Sequence, residues 1–243
     1  MSSLETRKIE PQSGTSVTLG ASGDTVLVSA DQLKTNTVKD AGGNTIFTSN
    51  GAGTLSSINS GLNGGMTFIS SQTASGASSI EFTSGLGDYD EIVFYFTNIQ
   101  HSNDDRFLEF QVSTNGGSSY GVAMTTTVFY ASHMWSWSNT AQMSYDASRD
   151  LANSTSYQKL TQSSDNGGTL TGAQTSGQLH LFGCASTTYV KQWYARVGNI
   201  YYIQGVIDSL TAGYINTTSA INAIQFRPDS NTTSGTIAMY GMT

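Results

Sequence analysis

The chain has 243 residues, a formal net charge of −7, 11% charged residues, 26 glycines and two prolines. Its acidic balance disfavours an electrostatic nucleic-acid partner, and its single cysteine, Cys184, excludes an intramolecular disulfide framework and a cysteine-based zinc site. Charged residues fall well below the roughly 25% of typical soluble domains; serine, threonine, asparagine and glycine fill the difference, which suits β-structure rather than a helical enzyme.

Met1–Lys8 lacks the apolar core run of a signal peptide, and no stretch approaches the roughly 18 apolar residues of a membrane helix. Neither secretion nor membrane insertion is expected. Residues 1–65 then run as short β-like pulses between small-residue turns: Ser16–Leu19, Thr25–Val28, Thr37–Lys39 and Thr45–Thr48, separated by stretches such as Gly20–Asp24, Asp40–Asn44 and Ser49–Gly53. Apolar anchors recur at Val17 and Val26, at Val38 and Ile46, and at Leu55. So thin a chain cannot bury enough surface to offset a backbone ordering cost of roughly 1–2 kcal/mol per residue. It must pair with copies of itself or with something else, which makes residues 1–65 an intertwined oligomeric β-stem and attachment segment.

Glycines cluster at Ser60–Gly65, and denser hydrophobic patterning follows, so residues 66–243 read as a second domain. Met66–Ser70 and Ser79–Thr83 read as strands flanking a Ser/Gly/Ala turn. Glu91–Thr97 is a near-continuous apolar run, as in a strand buried on both faces. In Arg106–Val112 the alternation predicts a core face of Leu108, Phe110 and Val112, and Asn115–Ser119 reads as a hairpin-type turn. Ser148–Ala152 is the one modest helical candidate. Gln178–Phe182, Thr187–Val197, Ala223–Arg227 and Thr236–Tyr240 complete a set of about ten short strands. With turn signals this frequent, the fold class is all-β, an antiparallel jelly-roll-like β-sandwich following the stem. Cys184, after Leu179–Gly183, reads as a buried thiol.

Catalytic chemistry finds little purchase. His101, His133 and His180 show no metal-ligand spacing, and no nucleophile elbow, P-loop or dinucleotide fingerprint occurs. Asp88, Asp90 and Glu91 precede one strand, and Asp104, Asp105 and Glu109 surround the start of the next. They invite a loop calcium site or a glycosidase pair, but no D-x-D-x-D-G loop is present and solvated carboxylates are the simpler reading. No catalytic residue, metal site or cofactor is assigned. The aromatic clusters carry more information. His133, Trp135 and Trp137 sit among polar neighbours, and Trp193 and Tyr194, followed by Tyr201 and Tyr202, form a second group. Flat aromatic faces suit sugar rings, while sandwich cores and subunit interfaces use the same residues; both readings stay open.

Several stretches carry a resemblance. Lys8–Thr15 through Gly20–Val26, and Asn36–Gly51, resemble the N-terminal part of fibre-like virion proteins of marine bacteriophages, cyanophages included. Ile69–Ser75, Gln178–Phe182, Ala212–Ile221 and Ser234–Gly241 extend the likeness over most of the chain. The resemblance implies a homotrimeric fibre or spike on the virion, assembled in a bacterial cytoplasm. Its stem would attach to another virion protein of tail or capsid, and its head would recognise the host surface, a saccharide being the natural partner. A head fibre or capsid decoration protein is the alternative reading, and a polysaccharide depolymerase a more distant one.

Overall fold

A computed structural model of the chain describes residues 35–52, 55–56, 58, 65–135, 141–162, 172–201 and 205–242. The pulses at Ser16–Leu19 and Thr25–Val28 lie outside the described residues. The chain divides into two compact units, Met1–Asn63 and Gly64–Thr243.

The first unit contains a small antiparallel sheet in the order β1 (Thr37–Lys39), β2 (Thr45–Ser49), β3 (Leu55–Ser56). Its first turn is closed by the Asp40 carboxylate, which accepts from the Asn44 backbone N–H at 2.8 Å. Gly43 supplies a left-handed φ of 85°. These hydrogen bonds hold the Asp40 carboxyl below the usual carboxylate range. Val38, Ile46 and Phe47 are only half-buried, Leu55 is 50% exposed, and no described residue of this unit is buried.

The second unit is an all-β antiparallel sandwich. Its strands are β4 (Thr67–Ala77), β5 (Ile80–Phe82), β6 (Glu91–His101), β7 (Leu108–Ser113), β8 (Met124–Met134), β9 (Ala141–Tyr145), β10 (Gln158–Lys159), β11 (Thr175–Phe182), β12 (Lys191–Tyr201), β13 (Gly205–Ile215), β14 (Ala223–Pro228) and β15 (Thr233–Met242). An eight-stranded sheet runs β4-β15-β6-β11-β12-β13-β8-β9, and a four-stranded sheet runs β10-β7-β14-β5. The chain crosses between the sheets from β4 through β5 and β6 to β7, then again from β10 to β11 and from β14 to β15. Two hairpins interrupt that path. β8–β9 lies between β7 and β10 in sequence, β12–β13 between β11 and β14, and both extend the larger sheet beyond β11.

The core lies between the sheets because alternate side chains of each strand point there. Leu108, Phe110 and Val112 of β7 and Ile224 and Phe226 of β14 face Phe94 and Phe96 of β6, Leu179 and Leu181 of β11, and Trp193, Ala195 and Val197 of β12. Phe226 meets Phe94 and Phe96 edge-on at 5.1 and 5.2 Å, and Phe110 meets Trp193 at 4.8 Å. Each such ring contributes roughly 1.5–3 kcal/mol through burial. Cys184 is fully buried just past β11, and burial pushes its thiol pKa up to about 12.

Two local expectations need correction, and a third, the short helical candidate, is met by one turn. Ser71–Ala77 is not a turn: β4 continues through it as an edge strand paired with β15. Asn115–Ser119 is a turn, with Gly116 and Gly117 at φ 72° and 86°, but it does not close a hairpin, since β7 and β8 belong to different sheets. Ser148–Ala152 yields a single 3-10 turn, Ala147–Arg149. All of β7 is buried, its hydrophilic side included, because the Gln111 side chain donates to the Thr155 and Ser156 carbonyls, both at 3.1 Å.

Candidate functional site

The face of the eight-stranded sheet turned away from the core carries the most chemistry. Along β12, Trp193, Ala195, Val197 and Asn199 are buried, so Tyr194, Arg196 and Gly198 point outward. The register across the strands arranges outward residues in parallel rows. Tyr95, Gln178, Arg196, Leu210 and Phe129 form one row; Ser176, Gly198, Asp208 and Ala131 form the next; Ile200, Val206 and His133 form a third. At the β9 edge Tyr145 pairs with Phe129 and Met143 with Ala131. Phe129, Met143, Tyr145, Val206 and Tyr194 are all exposed.

A shallow depression of about 420 Å³ opens on this face, lined by Tyr95, Ser176, Gly177, Gln178, Arg196, Gly198 and Asp208. Arg196 and Asp208 reach diagonally across it. Arg196 Nη2 donates to Asp208 Oδ2 at 2.7 Å and Nε donates to both carboxylate oxygens at 3.0–3.1 Å. These bonds raise the Arg196 pKa above its ordinary value. Beside the depression, the His180 ring stacks on Tyr194 at 4.5 Å, and its Nδ1 pairs with the Glu91 carboxylate.

The sequence-derived candidates separate. His133 and Trp135 reach the end of β8 and are exposed, Trp135 at 64%. Met134 pairs there with Gly205 of β13, so the ends of two hairpins some seventy residues apart come together. Trp193 instead belongs to the core, 2% exposed against Phe110, and presents no face to a soluble ligand. Tyr201 has the parity of Trp193 and Asn199 and lies on the inner side, in the electrostatic field of Arg149. Trp137 and Tyr202 lie outside the described residues. Sequence reasoning missed Tyr95, Gln178, Arg196 and Asp208. Alternation in Lys191–Val197 was the available signal for Arg196, whereas its partner on β13 needs the register.

The acidic groups do not converge. Asp88 and Asp90 precede β6, while Asp104 and Asp105 follow it, so they stand at opposite ends of an eleven-residue strand. Glu109 lies on the other sheet, where Arg227 Nε donates to it at 2.8 Å. Burial raises the Glu109 pKa in spite of Arg227. Arg227 also lies 3.5 Å from the Tyr157 ring centre, and Gln225, Glu81 and Tyr120 continue this hydrogen-bonded belt across the four-stranded sheet. Among the described residues, no group of three His, Cys, Asp or Glu side chains could hold a metal ion. Comparison with protein families, with curated proteins and with solved structures finds no match to this chain.

Proposed function

We propose that this chain is a bacteriophage virion fibre or spike protein. It assembles as a homotrimer through residues 1–65, joins another virion protein through that stem, and displays residues 66–243 as a head that binds a saccharide of the host cell surface. The observation that carries the binding role is the set of exposed side chains on the outer face of the eight-stranded sheet. It combines exposed aromatic side chains, Phe129, Tyr145, Tyr194 and, at its rim, Trp135, with hydrogen-bonding groups on Gln178, Arg196 and Asp208. Aromatic planes beside fixed polar groups suit sugar rings.

Two further observations support the reading. The strands β4, β5, β6, β7, β10, β11, β14 and β15 divide four and four between the two sheets, an order that supports the jelly-roll reading and a rigid frame suited to display. The sheet β1–β3 buries none of its described side chains within one chain, which favours burial against other copies. Three copies make weak contacts additive, so modest affinity per head suffices to hold a particle.

The test is binding of fluorescently labelled full-length protein to a panel of marine bacteria, cyanobacteria included, before and after periodate oxidation of surface glycans. Saturable binding lost on oxidation is expected, together with immunogold labelling of intact particles. Uniform labelling of capsids without any cell binding would favour a decoration role instead.

A further inference from the structure

Gly198 is bare for no reason internal to the fold. Glycine in the interior of a strand weakens it and marks a bulge, a bend or a close approach from outside. Of the seven glycines in the strands of residues 64–243, Gly76 and Gly235 have positive φ, and an added Cβ would collide at Gly177, Gly205, Gly213 and Gly241. Gly198 has neither constraint: its φ is ordinary for a strand, and the nearest atoms to an added Cβ, the carbonyl oxygens of Ser176 and Ile207, lie 3.9 Å away. It sits mid-strand on the outer face, where a Cβ meets only ordinary van der Waals contacts.

Its row is low throughout. Ser176, Gly198, Asp208 and Ala131 cross four adjacent strands, with Gln178, Arg196 and Leu210 rising on one side and Ile200, Val206 and His133 on the other. At about 3.3 Å per strand residue, the flanking rows stand roughly 13 Å apart; at about 4.8 Å per strand, the low row is roughly 14 Å long. The register thus outlines a trough across the strands, and the depression lined by Ser176, Gly198 and Asp208 opens on its β11–β13 part.

We infer that the trough binds a short, linear, uncharged glycan lying across β11, β12, β13 and β8. The inference rests on the attachment reading and narrows it to a place and a ligand class. Asp208 accepts hydrogen bonds from sugar hydroxyls while Arg196 and Gln178 donate to sugar oxygens. Tyr95 and Phe129, at the two ends of the taller row, offer ring faces to sugar C–H groups. The charges of Arg196 and Asp208 cancel within their own pair at 2.7 Å. A ligand without charge therefore complements the floor, whereas an anionic one must compete with Asp208 for Arg196.

The experiment places the full chain on linear neutral gluco-, manno- and galacto-oligosaccharides, with uronate-bearing and sulfated counterparts as a second arm. Wild-type protein is expected to bind a neutral member. Gly198→Tyr, which fills the trough, is expected to lose at least about tenfold in affinity without a lower thermal midpoint. Arg196→Gln is expected to lose affinity similarly, and it decides the matter if Gly198→Tyr fails to fold. Wild-type affinity in the folded Gly198→Tyr protein overturns the trough and leaves the attachment reading standing. Binding confined to the charged arm overturns the neutral ligand. Absence of binding to both arms overturns the inference, and if labelled protein also ignores intact cells the attachment reading falls with it.

Discussion

The Lys191 ammonium donates to the Ser219 carbonyl at 2.7 Å, tying the first residue of β12 to the loop that follows β13. Four more carbonyls, those of Ser186, Tyr189, Thr217 and Thr218, surround the same nitrogen within 3.4 Å. Lys191 is 1% exposed, and burial lowers its pKa. The side chain takes the place that a bound cation fills in other loops, gathering carbonyls that would otherwise face one another. Lys191→Met keeps the aliphatic stem and removes the charge, leaving the five carbonyls without their shared donor. Since each orphaned group costs about 1–3 kcal/mol, a loss of roughly 3 kcal/mol or more is expected. Urea unfolding should show a lower midpoint at unchanged slope, and an unchanged midpoint would mean that the loops re-solvate freely.

His101 closes β6 with both ring nitrogens buried and without hydrogen-bond partners. Burial lowers its pKa to about 4; Asp229 pulls the other way, and Arg106 adds to the lowering. The unfolded chain, with an ordinary histidine pKa near 6.5, binds this proton more readily. Stability contributed by neutral His101 is therefore complete above about pH 6.5, declines as pH falls toward 4 and is lost below it, amounting to roughly 3 kcal/mol. His101→Phe should flatten that part of the stability profile. The difference between the two proteins across pH 7 to 4 isolates the histidine from the carboxylates, and parallel profiles would refute its role.

Much of the sandwich is legible because one face of each strand must be apolar. Leu108, Phe110 and Val112, Leu179 and Leu181, and Ile224 and Phe226 all announce their faces by alternation and occupy the core. β13 does not announce itself: its inward positions include Ser209 and Thr211, which are polar yet buried, so the periodic signal disappears. β4 hides for the opposite reason. As an edge strand it exposes Ser71, Gln72 and Thr73 and resembles a turn. The trough was harder still to see. Arg196 and Asp208 become neighbours only through the β12–β13 register, and Trp193 looks like a ligand contact until the position of Phe110 is known.

Two glycines on adjacent strands should respond in opposite ways to alanine. At Gly177 an added Cβ would lie 2.7 Å from the Val197 Cα, a backbone atom that cannot step aside without breaking the β11–β12 ladder. Gly177→Ala should destabilise by roughly 2 kcal/mol or more, in the range of overpacked cores. Gly198→Ala should be neutral or stabilise by about 0.5–1 kcal/mol through reduced unfolded-state freedom. Thermal melts of the two variants side by side measure the contrast, and equal shifts would contradict the geometry.

The proposed stem makes its own prediction. Light scattering on the full chain should return three times the 25.8 kDa chain mass, and amides of β1–β3 should exchange slowly. A single-chain mass would remove the homotrimer, since a sheet with no buried side chain among its described residues holds little structure by itself.

Because the low row runs across the strands, its reach is counted in strands, like marks on a ruler. Each hairpin added beyond β11 advances the ruler by two marks, or about 10 Å at the usual strand spacing. The β8–β9 and β12–β13 hairpins supply such marks, and β9 is the last strand of this sheet among the described residues. One more hairpin paired to β9 would lengthen the proposed trough by the same amount without moving the eight strands of the frame.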